Sequence, residues 1–390
     1  MRVQSRKGDT IGYFSKLFSI PPYMLSFKKV EEELKPGTMV TIPGYESKRY
    51  HAQKGETLLT ISEKLSIPVD MLYLMNNGNK KQEGSIWSIP SKNRSPLFSG
   101  KKEYTSFELE RDLRLLLDAY PFIRCQTIGR SVLKKPIYML TVGSGPKKVH
   151  INASFHANEW ITSGILMDFI HQYVTAAVFD DDIKGFSARQ LMKEVTLYAV
   201  PMVDPDGVDL VLEGPPDHPV YGAYALKLNR GSLDFSNWKA NIRGVDLNNQ
   251  FPALWEIEKA RKPQQPSPRD YPGSYPLSEP EAAALAAAAD QLEFDRVIAL
   301  HTQGQEIYWG FEGREPRESE AIVRRMEADS GYKAIQYLDS YAGYKDWFIY
   351  KHRKAGFTVE LGYGVNPLPL SQYDDIYRQS LGIFLACMTM

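Results

Sequence analysis

Two histidines and one glutamate follow apolar runs of the sequence, and side chains of these types can bind a metal ion. His156 and Glu159 are three positions apart, directly after the apolar segment 149–155. His301 directly follows a second apolar segment, 297–300. Two histidines and one glutamate form a common catalytic zinc set, which leaves a fourth position for water. The sequence therefore predicts a zinc site formed by His156, Glu159 and His301.

A second glutamate, Glu360, is placed to carry out the proton transfer that zinc-dependent hydrolysis needs. Zinc lowers the pKa of a water molecule that it binds and polarises a carbonyl group. Glu360 interrupts the apolar segment 357–361, where a buried carboxylate needs a specific role. We expect it to accept the water's proton as a general base and pass it to the leaving amine. The residues alone leave two alternatives open. His156 and Glu159 could lie in a solvated loop, and Glu360 could pair with a basic neighbour.

Strand and helix patterns alternate in the segments that must position these residues. A capping box at 105–108 begins a helix that stops at Pro121. Further helices are predicted at 160–174 and 279–292, and buried strands at 137–142, 149–155, 195–203 and 296–300. This alternation predicts an α/β architecture with a largely buried sheet.

The charge balance of the chain disfavours two classes of partner. Among 390 residues, Lys and Arg total 47 and Asp and Glu total 47, so the formal net charge is zero. Because nucleic-acid binding and polybasic membrane-surface binding need a basic excess, we expect neither. No apolar run approaches the roughly 18–20 residues that cross a bilayer, so we expect no membrane insertion. The N-terminus lacks the apolar region of a secretory signal.

The first 90 residues contain a repeat with an offset of 47 positions. Each copy is predicted to fold as strand, helix, helix, strand, because a threonine N-cap precedes one apolar-periodic helix and an Ile-Pro pair ends it. A second short helix and a closing strand follow. The aligned pairs include Gly8 with Gly55, Thr10 with Thr57, Ile20-Pro21 with Ile67-Pro68, and Ile42-Pro43 with Ile89-Pro90. One register over such a span indicates a duplicated unit.

This repeat resembles the LysM module, a small βααβ unit that recognises N-acetylglucosamine chains in peptidoglycan or chitin. The resemblance covers residues 1–44 and 48–91 and implies two glycan-binding modules. The alternative is a pair of generic small helical modules. Residues 92–103 are polar and basic, contain Pro and Gly, and are predicted to form a linker.

From residue 104 to 390, the order of the polar motifs is similar to that of the zinc metallocarboxypeptidase family, which includes carboxypeptidases A and B. The motifs are His156-x-x-Glu159, Asp246-Leu-Asn248, His301, Asp346-Trp347 and Glu360. The resemblance implies a mixed eight-stranded sheet flanked by helices. It also implies one zinc ion, held by His156, Glu159 and His301, with Glu360 as the base.

One position departs from the family pattern. The resemblance implies that Asn248 helps to hold the free carboxylate of the substrate. The family places an arginine directly after it, which clamps that carboxylate through two parallel hydrogen bonds. Asn249 stands there instead. Because a neutral amide cannot replace a guanidinium charge, ordinary removal of C-terminal residues fits this chain less well.

Two other roles of the family have more than one candidate here. The family arginine that polarises the scissile carbonyl aligns with Lys239, and Arg243 lies close by. The mobile tyrosine of the family is assigned to Tyr341, with Tyr337 and Tyr344 as alternatives.

Lys345 precedes Asp346-Trp347 at the place that lies, in the family, at the bottom of the pocket for the residue after the cut bond. A cation there favours an acidic side group of the substrate. The alternative interpretation is a solvated surface lysine.

Together, the two halves resemble the bacterial γ-D-glutamyl-L-diamino acid endopeptidases, which join two LysM modules to this peptidase fold. The resemblance implies hydrolysis of peptidoglycan stem peptides between γ-D-Glu and the diamino acid. The second carboxylate of meso-diaminopimelate fits a pocket containing Lys345. A general metallocarboxypeptidase and a non-catalytic glycan-binding protein are the alternatives. We expect a location in the cytoplasm, or an association with the spore of a spore-forming cell or with the cell wall.

Overall fold

A computed structural model describes residues 1–25, 29–76 and 85–390 of the chain. These residues form two compact units. The first consists of Met1–Leu97 together with Arg114–Arg124 and Gln172–Arg189; the second consists of Phe98–Leu113, Cys125–His171 and Gln190–Met390. Within the described part of the chain, none of the helices combines the length and the apolarity that crossing a bilayer requires.

The two N-terminal repeats have the same order of elements. The first contains β1 (Arg2–Gln4), α1 (Ile11–Phe18), α2 (Pro22–Leu25) and β2 (Met39–Thr41). The second contains β3 (Tyr45–His51), α3 (Leu58–Leu65), α4 (Val69–Met75) and β4 (Ile86–Lys92). In each repeat the two strands pair in antiparallel fashion. The strand β3 starts at Tyr45, directly after the first repeat.

Equivalent residues begin and end the first helix of each repeat. The side chains of Thr10 and Thr57 accept hydrogen bonds from backbone N–H groups in the first turn. Ser19 and Ser66 end the helices in the left-handed conformation, with φ of 57° and 54°. The repeat at the sequence level is therefore also a repeat of local geometry.

A polar contact joins the two repeats. The guanidinium of Arg6 donates to Asp70 at 2.8 Å, and the hydroxyl of Tyr13 donates to the same carboxylate. These contacts hold the pKa of Asp70 below its usual range, chiefly through the hydrogen bond from Arg6. The first helix of one repeat is thus tied to the second helix of the other.

The remaining chain alternates helices and strands. Its strands are β5 (Arg124–Arg130), β6 (Pro136–Gly143), β7 (Lys147–Asn152), β8 (Asp182–Ile183), β9 (Phe186–Ser187), β10 (Val195–Val200), β11 (Arg296–Thr302), β12 (Glu306–Tyr308), β13 (Lys333–Ile335) and β14 (Ala355–Leu361). Its α-helices are α5 (Ser106–Ala119), α6 (Ile161–Phe179), α7 (Ala188–Glu194), α8 (Pro205–Glu213), α9 (Tyr221–Leu228), α10 (Trp255–Ala260), α11 (Pro280–Leu292), α12 (Glu318–Ser330), α13 (Tyr344–His352) and α14 (Tyr373–Thr389).

Eight of these strands form one mixed sheet in the order β13-β12-β14-β11-β7-β10-β6-β5. Its four central strands, β14, β11, β7 and β10, are parallel. All seven residues of β11 are buried, as expected for a parallel strand covered on both faces. The α/β fold with a mixed eight-stranded sheet flanked by helices, predicted from the sequence, is confirmed.

Two predicted strands end earlier than their apolar runs. The run 149–155 is extended only to Asn152, because Ser154 adopts a left-handed conformation with φ of 49°. The run 195–203 ends as a strand at Val200, because the next residue, Pro201, has no N–H to donate to a neighbouring strand. Because β7 ends at Asn152, the residues that follow it lie outside the strand and can take part in the site.

The segment predicted as a linker, 92–103, makes specific contacts. Lys92 is the last residue of β4. Residues Phe98–Leu113 belong to the second unit, where Lys102 forms an ion pair with the buried carboxylate of Asp112 at 2.8 Å.

Candidate active site

The three predicted zinc ligands meet at the carboxyl ends of the adjacent parallel strands β7 and β11. A 3₁₀ turn at Ala157–Glu159 returns the Glu159 carboxylate to His156, and its Oε1 lies 2.8 Å from His156 Nδ1. Its other oxygen lies 2.9 Å from His301 Nδ1. The two Nδ1 atoms are 3.1 Å apart. All three side chains are buried.

This donor set fits a zinc ion. One ligand atom from each of the three residues lies within 4.8 Å of the others. Zn–N and Zn–O bonds of about 2.0–2.1 Å in a tetrahedron place neighbouring ligand atoms about 3.3 Å apart, close to the distances observed here. Two imidazole nitrogens and a carboxylate that point at one another, away from water, are typical of a site that binds one cation.

Behind the ligands, Asp246 connects His156 with Lys239. Its Oδ1 lies 3.1 Å from His156 Nε2, and its Oδ2 lies 2.8 Å from Lys239 Nζ. Burial alone would raise the pKa of Asp246, but the charges of Lys239 and His156 hold it well below the usual range. A carboxylate on the far nitrogen of a ligand histidine fixes its orientation and makes the near nitrogen more basic.

The electrostatics of the cluster favour a cation. Burial lowers the pKa of His156, yet the negative charges of Glu159 and Asp246 outweigh it and raise the value to about 9. Burial likewise opposes the charge on Glu159, but the two histidines lower its pKa to about 2. The carboxylate of Glu159 therefore keeps its negative charge, and the raised pKa of His156 shows that this point attracts a positive charge, which a proton or a divalent ion can supply.

Glu360 lies beside the three ligands on β14. In the pairing of β11 with β14, its Cα is directly opposite that of His301. Burial, and then the negative charge of Glu159, raise the pKa of Glu360 to about 8. A carboxyl group with a raised pKa can both accept and release a proton near neutral pH.

A cleft of about 420 Å³ opens over these residues. Its walls come from loops that follow several strands, and it is lined by His156, Glu159, Asn237, Lys239, Arg269, Thr302, Gln303, Tyr308, Glu360, Gly364, Val365 and Asn366. The cleft therefore contains two of the predicted ligands, the predicted base and one of the two candidate carbonyl-polarising cations.

The two candidate cations occupy different places. Lys239 lines this cleft, and its Nζ also contacts Asp270 at 3.1 Å. Arg243 instead lines a second cleft. There its Nε donates to the Tyr221 hydroxyl at 3.2 Å, and a terminal nitrogen lies 3.5 Å from Glu279.

The two asparagines lie on a 3₁₀ turn, Leu247–Asn249, which begins directly after Asp246. The Asn248 N–H donates to Asp246 at 3.0 Å, and its side-chain oxygen accepts from the Tyr344 N–H at 3.0 Å. Asn249 is buried. Asp246 thus links this turn to the zinc ligand His156.

Lys345 is buried, with only 6% of its surface exposed. Its Nζ donates to the Gly310 carbonyl at 2.8 Å and forms an ion pair with Asp346 at 2.6 Å. The alternative interpretation of a solvated surface lysine is therefore wrong. Its aliphatic stem lies over Gly356, where the missing side chain leaves room for it.

The tyrosine candidates have different surroundings. Tyr341 lines a separate cleft and packs under the guanidinium of Arg261, 4.9 Å from the ring centre. Tyr337 is exposed and donates to Glu315 at 2.8 Å. Tyr344 is fully buried in the core. A fully packed ring cannot be the mobile tyrosine, so the alternative that named Tyr344 is wrong.

Arg269 and Asn237 in the cleft wall were not predicted from the sequence. Arg269 lies in the Pro- and Gln-rich segment 261–276, which has no periodicity to indicate a role. The loop is brought to the site because the N–H groups of Lys239 and Ala240 both donate to the Pro268 carbonyl.

The comparisons with known proteins agree with this geometry. A model of the zinc carboxypeptidase family matches residues 109–380. The chain belongs to this family. As a zinc carboxypeptidase family member it is a zinc metallopeptidase, a hydrolase whose cofactor is Zn²⁺.

Relatives of this zinc carboxypeptidase extend the similarity over the whole chain. It is 45% identical over 392 aligned residues to gamma-D-glutamyl-L-diamino acid endopeptidase 1 of Lysinibacillus sphaericus, with 99% of each chain covered. It is 49% identical over 290 residues to the uncharacterized protein YqgT of Bacillus subtilis, covering 73% of this chain and 76% of that one. The structure of bovine thrombin-activatable fibrinolysis inhibitor, solved with a tick carboxypeptidase inhibitor, shares the fold. Its TM-score is 0.58 at 22% identity, over 74% of this chain and 97% of that one.

Proposed function

We propose that this zinc carboxypeptidase family member hydrolyses the bond between γ-D-glutamate and the diamino acid of peptidoglycan stem peptides. The observation that carries the proposal is the 45% identity to a gamma-D-glutamyl-L-diamino acid endopeptidase, which spans 99% of both chains. A relationship over the full length supports the same order of N-terminal repeats and catalytic unit along both chains.

The residue at position 249 supports a substrate other than an ordinary C-terminal peptide. An arginine there would bind the terminal carboxylate of any peptide through two hydrogen bonds. Asn249 has no charge and is buried on the turn next to Asp246. Because the general carboxylate clamp is missing, selectivity must come from other contacts.

The proposed mechanism assigns separate tasks to four side chains. His156, Glu159 and His301 would hold zinc, which would supply a Lewis acid for the scissile carbonyl and lower the pKa of water. Glu360 accepts the proton of the attacking water and delivers it to the leaving amine, a role that suits its raised pKa.

Lys239 stabilises the negative charge that develops on the carbonyl oxygen in this mechanism. Two features support Lys239 over Arg243: it lines the same cleft as His156 and Glu360, and the carboxylates Asp246 and Asp270 hold its Nζ. Arg243 lines another cleft. Tyr341 remains the candidate for the mobile tyrosine of the family.

We propose that Lys345 recognises the second carboxylate of meso-diaminopimelate. An ammonium group has three N–H donors. The Gly310 carbonyl and Asp346 use two of them, which leaves one for a substrate oxygen. Because Lys345 is shielded from water, a carboxylate that reached it would bind more strongly than at the surface.

We further propose that residues 1–44 and 48–91 are LysM modules that bind N-acetylglucosamine chains, that 92–103 connect them, and that 104–390 form the catalytic domain. The matching helix caps of the two repeats support a duplicated module. Two weak glycan-binding sites on one chain raise the effective concentration of the enzyme at a polymeric wall.

The test is mass spectrometry of L-Ala-γ-D-Glu-meso-diaminopimelate after incubation with the zinc-loaded protein. We expect release of free diaminopimelate. Two controls, a Glu360→Gln protein and a chelator-treated sample, should leave the tripeptide intact. An uncut tripeptide from a zinc-loaded protein that still trims ordinary C-terminal peptides would overturn the proposal in favour of a general carboxypeptidase.

A further inference from the structure

We infer that Arg269 binds the free α-carboxylate of the γ-D-glutamyl residue, on the side of the bond that becomes the new C-terminus. This inference rests on the proposed function and adds a specificity residue to it. Arg269 lines the cleft together with His156, Glu159 and Glu360.

The γ-linkage creates a chemical feature that Arg269 can recognise. In a γ-glutamyl bond the side-chain carbonyl is the one that is cut, so the α-carboxylate of the glutamate stays free. It lies four bonds from the scissile carbon, about 5 Å away in an extended chain. A substrate bound with its carbonyl at the metal centre must therefore place a negative charge within the same cleft.

That charge needs a cation, because a carboxylate that leaves water is stable only when an oppositely charged group and hydrogen-bond donors pair with it. Of the residues that the structure describes in the cleft wall, Lys239 and Arg269 carry permanent positive charges. Lys239 is already shared between Asp246 and Asp270.

Arg269 has more free donors than Lys239, because a guanidinium has five N–H groups and an ammonium has three. Its guanidinium donates to one group, the carbonyl of Asn237, at 3.1 Å, and it has no carboxylate partner among the described residues. Pro268 next to it is held by the N–H groups of Lys239 and Ala240. A planar guanidinium on an anchored loop is suited to a carboxylate, which it binds through two parallel hydrogen bonds.

The position of Arg269 indicates which residue of the substrate it meets. Lys345, Asn248 and Asn249, the candidates for binding the diamino acid, do not line this cleft, whereas Arg269 does. We therefore place the diamino acid near Lys345, Asn248 and Asn249, and the α-carboxylate of the γ-D-glutamyl residue near Arg269.

The test compares three substrates. They are L-Ala-γ-D-Glu-meso-diaminopimelate, its D-isoglutamine analogue with an α-carboxamide, and an analogue whose diaminopimelate carries a C-terminal amide. An α-linked glutamate is unsuitable as a comparison, because its side-chain carboxylate is also four bonds from the scissile carbon. The proteins are the parent, Arg269→Gln, Arg269→Lys, and Arg317→Gln as an exposed arginine outside the cleft wall. Zinc content and circular dichroism check that each variant folds.

We expect Arg269→Gln to lower kcat/KM for the carboxylate substrate by about ten- to a hundredfold, the usual effect of losing a hydrogen bond between charged groups. The isoglutamine analogue should be cut almost equally by the parent and by Arg269→Gln, and Arg269→Lys should retain part of the preference. Arg317→Gln should match the parent.

An unchanged preference for carboxylate over carboxamide in Arg269→Gln would overturn the inference. So would a change confined to the C-terminally amidated substrate, because Arg269 would then bind the diamino acid. A parent enzyme that cuts none of the three substrates would instead refute the proposed function.

Discussion

The Nδ1 atoms of His156 and His301 lie 3.1 Å apart, although 145 positions separate the two residues in the chain. His156 follows the end of β7 and His301 lies on β11, and these two strands are neighbours in the parallel part of the sheet. Two imidazole nitrogens at this distance cannot both carry a proton that points at the other, and together with the Glu159 carboxylate they match the ligand spacing of a shared cation.

Replacing His301 by alanine should abolish stoichiometric zinc binding. Three protein ligands are the minimum of a catalytic zinc site, and two would leave the ion weakly held. Atomic absorption of the dialysed protein measures the bound zinc. His218→Ala, a partly buried histidine in the segment before α9, should retain one zinc per chain; equal zinc in both variants would contradict the assignment of His301.

Replacing Asp246 by asparagine should weaken zinc binding by about 10–100-fold, because the carboxylate orients His156 and raises its basicity. Competition with a chromophoric chelator measures the affinity. Asp270→Asn is the matched control, since Asp270 contacts Lys239 but has no contact with His156 among those described. If both variants bind zinc like the parent, Asp246 does not support the ligand.

Replacing Lys239 by glutamine should lower kcat by about 10²–10³, the usual loss for one donor to a developing oxyanion. Arg243→Gln, in the other cleft, should remain close to the parent. Steady-state kinetics on the stem tripeptide separates the two residues. A larger loss for Arg243→Gln would reverse the assignment.

The unfolding free energy should fall as the pH rises from about 5 to about 8. Burial, and then the nearby carboxylates Asp206 and Glu279, raise the pKa of Glu281 to about 8 from its ordinary 4.5. The folded state therefore binds this proton more tightly. The contribution of this proton to the free energy of unfolding is on the order of a few kcal/mol. It is complete below pH 4.5 and is lost as the pH approaches 8.

Urea unfolding of the zinc-loaded protein at several pH values measures this effect. Glu281→Gln should flatten the decline, whereas Glu320→Gln, on an exposed face of α12, should leave it unchanged. Parallel curves for all three proteins would show that Glu281 does not hold a proton in the folded state.

Replacing Lys345 by methionine should destabilise the protein by about 3–5 kcal/mol, because it leaves the buried carboxylate of Asp346 without its partner. The double variant Lys345→Met, Asp346→Asn should recover part of this loss. The double variant should also lose the enzyme's preference for a substrate with diaminopimelate over one with lysine in its place. A preserved preference would show that Lys345 does not recognise the diamino acid.

The strands that carry the chemistry could be predicted because each is an apolar run interrupted by a polar residue. His301 and Glu360 are the polar residues near the ends of β11 and β14, and few structural roles require such a break. The ends of β7 and β10 were less predictable. A left-handed serine and a proline stop them before the apolar runs finish.

The walls of the cleft could not be predicted in the same way. Arg269 lies in a loop without periodicity, and its place depends on two backbone hydrogen bonds to Pro268. The burial of Tyr344 and Lys345 likewise depends on packing between α13 and the sheet. Such contacts join segments that are distant in the sequence, and no local pattern records them.

The opposition of His301 and Glu360 across the β11–β14 ladder has a consequence for how the protein fails on heating. Glu360 pairs with β11 on one side and with β12 on the other, and His301 pairs with Glu360 itself, in the central part of the sheet. Local opening of a loop therefore cannot separate them. Amide hydrogen exchange in β11 should therefore stay slow up to the temperature at which the sheet itself melts.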